Sequence, residues 1–318
     1  MSTVAFVFPG QGSQYVGMGR DLAAMSPAAA AVFAEADAAL GERLSALAWE
    51  GEAAQLDLTV NAQPALLATS IAYRRALDER RAAKGAAPLR PAFFAGHSMG
   101  QYTAMVAAGA LSLGDGVRLV RERGRLMQAS GSGRDGAMAA IIGLDDARLP
   151  DVDAAGKTRG IFTIANRNSP GQVVVSGERP AVEAALAAAR ELGARRTVVL
   201  PVSVAAHSPL MAEAAEGMRR ALAGVEFRDP SAPLIANADA HPLTSGEACR
   251  EELVAHLTTG VDWVAAIRAM EAAGVEAFVE VGPGRVLAGL VKRIAPEAAI
   301  YALDLDDAPG RLAPPPLD

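Results

Sequence analysis

The chain has one cysteine, Cys249, in 318 residues, so it can form no internal disulfide. It also lacks a surplus of positive charge. Thirty lysines and arginines stand against 36 aspartates and glutamates, and a net charge of −6 leaves nothing to neutralise the phosphates of a nucleic acid or an anionic membrane. Long apolar runs are missing too. The alanine-rich stretch PAAAAVFAEADAAL is broken by Glu35 and Asp37 and falls short of the roughly 20 apolar residues that span a bilayer. No charged leader with an apolar core and cleavage site precedes the first strand, and no internal repeat is present. These absences set the expectation of a cytoplasmic protein with neither a nucleic-acid nor a membrane partner.

What is present is largely apolar. Hydrophobic residues make up 51% of the composition, enough for one large domain or a domain with a smaller companion. VAFVF at 4–8 reads as a buried strand running into the glycine-rich loop PGQGSQ, after which residues 15–22 read as helical. Helical patterns follow near 27–40 and 64–81, and PAFFAG at 91–96 reads as the next strand. Alternation of strand and helix implies a parallel sheet. From about residue 136 the rhythm becomes βαββαβ, a split βαβ unit of ferredoxin-like type inserted into the larger domain. The expected division is 1–133 with 202–318 for the large domain and 134–201 for the small one. Beyond it, one helix from 247 to about 271 precedes the late strand AFVEVGPG, and the proline-rich tail DDAPGRLAPPPLD reads as frayed.

Chemistry concentrates around FFAGHSMGQY, residues 93–102. Gly96-His97-Ser98-Met99-Gly100 fits G-x-S-x-G, in which small flanking residues permit a sharp strand-to-helix turn that exposes the serine, and the context of apolar FFA before and helical spacing after is met. A nucleophilic serine needs a base, and only four histidines are available. His97 adjoins the serine and points to the other side of the turn. His241, in DAHP, reads as an exposed loop residue, and His256, in EELVAHL, as a packed or surface helix residue. His207, in SVAAHSPLM, lies between a finished strand and an unstarted helix, where catalytic groups are commonly presented. Either a carboxylate or a backbone carbonyl would orient its other nitrogen.

LSLGDGVRLVRERGRLMQ, residues 111–128, looks at first like a basic patch. At about 100° per residue, Arg118, Arg121 and Arg125 share a solvated face, but Arg123 falls between Leu119 and Leu126 inside the apolar arc. A buried guanidinium needs a partner. The spacing leaves two candidates open, a structural acid and the carboxylate of a ligand, which an arginine fork matches in bidentate fashion.

Several motifs in order resemble the malonyl-CoA:acyl carrier protein transacylases and the acyltransferase domains of fatty acid and polyketide synthases. They are FPGQGSQ at 8–14, GHSMGQYTA at 96–104, RGRLMQ at 123–128, ANRNSPGQVVVSG at 165–177, HSPLM at 207–211 and EVGPGRVL at 280–287. The resemblance implies an α/β fold, with an α/β-hydrolase-like large domain around a parallel sheet and the ferredoxin-like small subdomain. It implies Ser98 as nucleophile and His207 as a base leaning on backbone carbonyl, and the amides of Gln11 and Met99 as oxyanion hole. Arg123 would grip the malonyl carboxylate, and Asn166 and Gln172 would face the cleft from the small subdomain. The implied reaction passes malonyl from malonyl-CoA through Ser98 to acyl carrier protein, with no cofactor or metal; the enzyme is expected to be a monomer. An α-substituted malonyl unit, or hydrolysis of acyl thioesters, is the alternative. Three departures stand out. Gln101 occupies a usually acidic position read as helix surface. Asp262, in GVDW, either touches His207 or caps the helix beginning at Trp263. Small Ala206 ahead of the base leaves room for an α-substituent.

Overall fold

A computed structural model describes residues 3–131, 135–202 and 204–303. The proline-rich tail lies outside the described residues. The first half runs β1 (Val4–Phe8), α1 (Arg20–Met25), α2 (Pro27–Leu40), α3 (Leu44–Glu50), α4 (Ala53–Leu56), α5 (Thr59–Ala83), β2 (Phe93–Gly96), α6 (Gly100–Ala107) and α7 (Leu113–Gly131). Next come β3 (Gly136–Ile142), α8 (Leu149–Lys157), β4 (Phe162–Ser169), β5 (Gln172–Glu178), α9 (Arg179–Glu191) and β6 (Arg196–Val199). The chain closes with α10 (Ala212–Leu222), β7 (Leu234–Ile235), β8 (Pro242–Leu243), α11 (Gly246–Ala255), β9 (Val261–Asp262), α12 (Trp263–Ala272), β10 (Ala277–Glu280), α13 (Val286–Ile294) and β11 (Ala299–Ala302).

Two sheets form. The larger has the order β11-β10-β1-β2-β7-β8 and is parallel except for the β7–β8 hairpin. Its central strand explains the continuous apolar run at the start of the sequence. Phe6 and Phe8 project into the main core with α2, α5, α6 and α7, while Ala5 and Val7 project to the opposite face against α12 and α13. A strand covered on both faces has no solvent side on which to place polar residues. The smaller sheet, β6-β3-β5-β4-β9, is antiparallel except where β9 joins β4, and a third core cluster fills the space between it and α8 and α9. Its fifth strand, β9, comes from outside the 134–201 stretch.

Two local expectations change. Residues 16–19 are turns and α1 begins only at Arg20, because Gly17 and Gly19 adopt positive φ of 101° and 76°, which a helix does not accept. The single helix expected from 247 to about 271 is two. LTTG at 257–260 interrupts it, β9 docks on β4, and Asp262 starts α12 by accepting the Ala265 amide at 2.9 Å. That settles Asp262 as a helix cap, with its other oxygen 3.9 Å from Arg167. Asp262→Ala should therefore lower the unfolding free energy by about 1 kcal/mol, and Asp262→Asn, which caps equally well, by much less. Equal losses for the two substitutions in denaturant titrations would contradict the cap.

Candidate active site

Ser98 sits at the carboxyl end of β2, where open parallel sheets place their ligands. Its φ is +54°, a left-handed conformation that non-glycine residues rarely adopt. Close approach explains its glycine neighbours. A Cβ on Gly96 would lie 2.0 Å from the Gly100 carbonyl, and one on Gly100 would lie 2.3 Å from the Phe8 carbonyl oxygen. The turn is held by Asn237, which no sequence pattern singled out. Its Oδ1 accepts the Ser98 amide at 2.9 Å and its Nδ2 donates to the Gly96 carbonyl at 2.9 Å. Asn237 follows β7, so its role arises only when that strand pairs with β2. Its own amide donates to the buried Glu252 carboxyl at 2.7 Å, and burial pushes that carboxyl up to about 7 despite the hydrogen bond.

Gln101 is not on the helix surface. It is fully buried, with Oε1 accepting the Gly96 amide at 3.1 Å and Nε2 donating to the Ile235 carbonyl at 3.0 Å. The first turn of α6 packs directly over the sheet, so a carboxamide with one donor and one acceptor suits two backbone groups of opposite kind.

His207 also has positive φ, +58°, and places Nε2 2.8 Å from Ser98 Oγ. Its Nδ1 lies 2.7 Å from the His256 carbonyl and 3.1 Å from that of Thr259. Carbonyl oxygens only accept, so the proton of the neutral ring sits on Nδ1 and the Nε2 lone pair faces the serine hydroxyl. Burial first, and the Arg123 charge second, hold this imidazole down to about 4, so it is unprotonated at neutral pH. No carboxylate takes part in its orientation among the described residues. The other histidines separate cleanly. His97 turns its Nε2 to Asn168 Oδ1 at 2.8 Å and packs edge-on against Trp263. His241 is exposed and pairs with Asp239. His256 is fully buried beside Arg123 and supplies through its backbone one of the carbonyls that hold His207.

Arg123, 1% exposed, reaches the serine from α7. Its Nη2 donates to Ser98 Oγ at 3.1 Å and to His256 Nε2 at 3.3 Å, its Nη1 donates to Gln63 Oε1 at 2.8 Å, and its carbon lies 5.9 Å from the Tyr102 ring centre. Nε has no partner. No carboxylate forms an ion pair with this guanidinium among the described residues, so the structural acid that spacing left open is not found. Burial lowers its affinity for a proton, the direction expected of an uncompensated cation.

The remaining expected residues scatter. The Gln11 side chain donates to Thr59 Oγ1 at 3.2 Å, and the adjoining Gly10 backbone packs against the His97 carbonyl, which brings this loop alongside the serine turn. The Gly100, Gln101 and Tyr102 amides bond back to residues 97–99, and the amides of Met99 and Gln11 have no acceptor among the described residues. Asn166 is buried in β4, and Ala206 is buried in the main core. Gln172 accepts from Arg293 at 2.7 Å on an exposed surface; Asn168, through His97, is the residue of that motif that touches the serine turn. No group of three or more His, Cys, Asp or Glu side chains is placed to hold a metal ion among the described residues. Nor is any helix among them long and apolar enough to cross a membrane.

Comparison with known proteins bears on this constellation. The acyl transferase domain model matches residues 5–302. Malonyl CoA-acyl carrier protein transacylase of Escherichia coli strain K12 is 46% identical over 304 residues, covering 96% of each chain. The crystal structure of acyl-carrier-protein-S-malonyltransferase from Bartonella henselae superposes with a TM-score of 0.90 at 42% identity, covering 96% of each chain. A type II polyketide-synthase acyl carrier protein in complex with its malonyl-transacylase gives 0.87 at 42% identity, covering 96% of this chain and 97% of that one. With one family model spanning nearly its whole length around the serine, histidine and arginine just described, the chain belongs to the acyl transferase family.

Proposed function

We propose that this enzyme transfers a malonyl group from malonyl-CoA to the phosphopantetheine thiol of an acyl carrier protein by way of an ester on Ser98. Arg123 carries the reading: a buried guanidinium with no carboxylate partner among the described residues, 3.1 Å from Ser98 Oγ, suits an acyl group that brings its own carboxylate. The names of its relatives, one of them paired with a carrier protein, support the same substrates. The larger parallel sheet is read as an α/β-hydrolase-like body and the smaller sheet as a ferredoxin-like insert, with divisions near residues 133 and 202.

In the first half-reaction Ser98 Oγ attacks the thioester carbonyl while His207 Nε2 takes its proton. The amides of Met99 and Gln11, which have no acceptor among the described residues, face the developing oxyanion. The Ser98 amide is already committed to Asn237 and takes no part. Collapse of the tetrahedral species expels CoA, whose sulfur takes the proton from His207. The carrier thiol then repeats the sequence in reverse, giving its proton to His207 and attacking the ester, and Ser98 recovers the proton. The chemistry is proton and acyl transfer between an alcohol and two thiols, which calls for no cofactor.

Substrate binding also tunes the base. The Arg123 charge is the second cause of the low basicity of His207, and a malonate carboxylate seated on Arg123 offsets that charge. The imidazole thus becomes a better proton acceptor when the correct acyl group is in place.

Arg123→Ala should cut malonyl loading of Ser98 by roughly a hundredfold or more, as loss of one partner of a buried ion pair costs about 3–5 kcal/mol, while slow acetyl loading persists. Intact-mass kinetics with the two acyl-CoAs read this directly, and unchanged malonyl loading would sink the clamp. With the free enzyme's base held near 4, acylation kcat/KM should stay level from neutral pH downwards and fall along a limb centred near pH 4 as His207 gains a proton. A limb near 6.5 in rapid-quench experiments would mean that His207 is not the desolvated, neutral base described. Steady CoA release from malonyl-CoA should require added carrier protein; release at the same rate without it would make the enzyme a thioester hydrolase.

A further inference from the structure

Two uncharged side chains from different elements hold the Arg123 guanidinium. Gln63 on α5 accepts Nη1 at 2.8 Å, and its amide nitrogen lies 3.6 Å from Met127 Sδ, a weak acceptor, which leaves the oxygen turned to the arginine. His256, at the end of α11, lies 3.3 Å from Nη2 through its Nε2. Its other nitrogen, Nδ1, is 3.0 Å from the Glu252 carbonyl. A carbonyl cannot donate, so Nδ1 carries the ring proton and Nε2 offers a lone pair to Arg123.

We propose that His256 is a positioning residue for the reaction: as a neutral acceptor it aims Arg123 at the acyl carboxylate without neutralising it, and so sets the preference for acyl groups that carry a negative charge. A carboxylate in its place would satisfy the arginine permanently and compete with the substrate. An apolar side chain would leave Nη2 without this acceptor and the fork free to rotate. Burial, Arg123 and His207 all oppose protonation of His256, and no carboxylate among the described residues contacts its ring, which faces Arg123, His207 and Tyr102. The residue's second service, the backbone carbonyl that accepts from His207 Nδ1, is independent of its side chain. Substitution therefore addresses the arginine alone.

The inference rests on the malonyl reading, and the test separates the two. Loading of full-length enzyme with malonyl-CoA and acetyl-CoA is followed by intact mass. His256→Leu should lower the malonyl-over-acetyl ratio of kcat/KM about tenfold, as expected for one lost hydrogen bond to a charged group, chiefly through KM for malonyl-CoA. His256→Gln, whose amide oxygen can accept from Nη2, should recover most of that ratio. A wild-type ratio in His256→Leu, or a His256→Gln enzyme as impaired as His256→Leu, overturns the proposal. A second measurement needs no variant: imidazole 15N NMR of the wild-type protein at neutral pH should show Nδ1 protonated and Nε2 bare on His256, and a protonated Nε2 overturns the proposal whatever the variants do. Wild-type enzyme that loads acetyl as well as malonyl counts against the malonyl reading, whereas the NMR result reports on His256 alone.

Discussion

A positive charge sealed in the protein, with no carboxylate paired to it among the described residues, is the constraint around which this site is arranged. Arg123 is 1% exposed and lies among Gln63, His256, Tyr102 and Ser98, none of them charged at neutral pH. Isolated buried ions are costly, and proteins usually pair them. Here the fold supplies acceptors for orientation, and the described residues supply no counter-ion. The same charge reaches His207, where it adds to burial in depressing the basicity of the imidazole. A single guanidinium thereby contacts Ser98 and lowers the basicity of His207.

Strain at the serine is sustained by structure on both sides. Ser98 and His207 both occupy left-handed backbone conformations and meet through a 2.8 Å contact. Such conformations persist only where the surroundings over-determine them. Asn237 bridges Gly96 and the Ser98 amide, and Gln101 bridges Gly96 and Ile235, so the turn is fixed by two carboxamides acting on backbone rather than by its own sequence. Asn237 occupies the Ser98 amide, whereas the next amide along, that of Met99, has no acceptor among the described residues.

Orientation of His207 likewise falls to the backbone. The break between α11 and α12 carries the His256 and Thr259 carbonyls to His207 Nδ1, and the strand and helix cap that follow hold this break in place through β4 and Ala265. Carbonyls fix the tautomer as a carboxylate would, but they add no negative charge. The low basicity of His207 follows in part from that choice, since an adjacent carboxylate would have raised it.

Some of this was legible in the residues themselves. G-x-S-x-G between an apolar run and an amphipathic one locates a serine turn because only small neighbours allow the backbone approach seen at Gly96 and Gly100. Four histidines are few enough to sort by local context, and a charge inside an apolar arc marks Arg123, since helical periodicity is a local property. Tertiary structure alone decided what these groups meet. Gln63, Asn237 and His256 lie 60, 139 and 133 residues from the partners they hold, and no periodicity or motif carries information across such separations. Gln101 departs from its expected surface position for the same reason, because a polar residue at a helix start looks solvent-exposed until the sheet beneath it is placed. The residue order alone marks which side chains could do chemistry; the packing of the sheet, α5, α7 and α11 leaves the arginine without a counter-ion among the described residues, as burial and pairing are set by what the fold brings together.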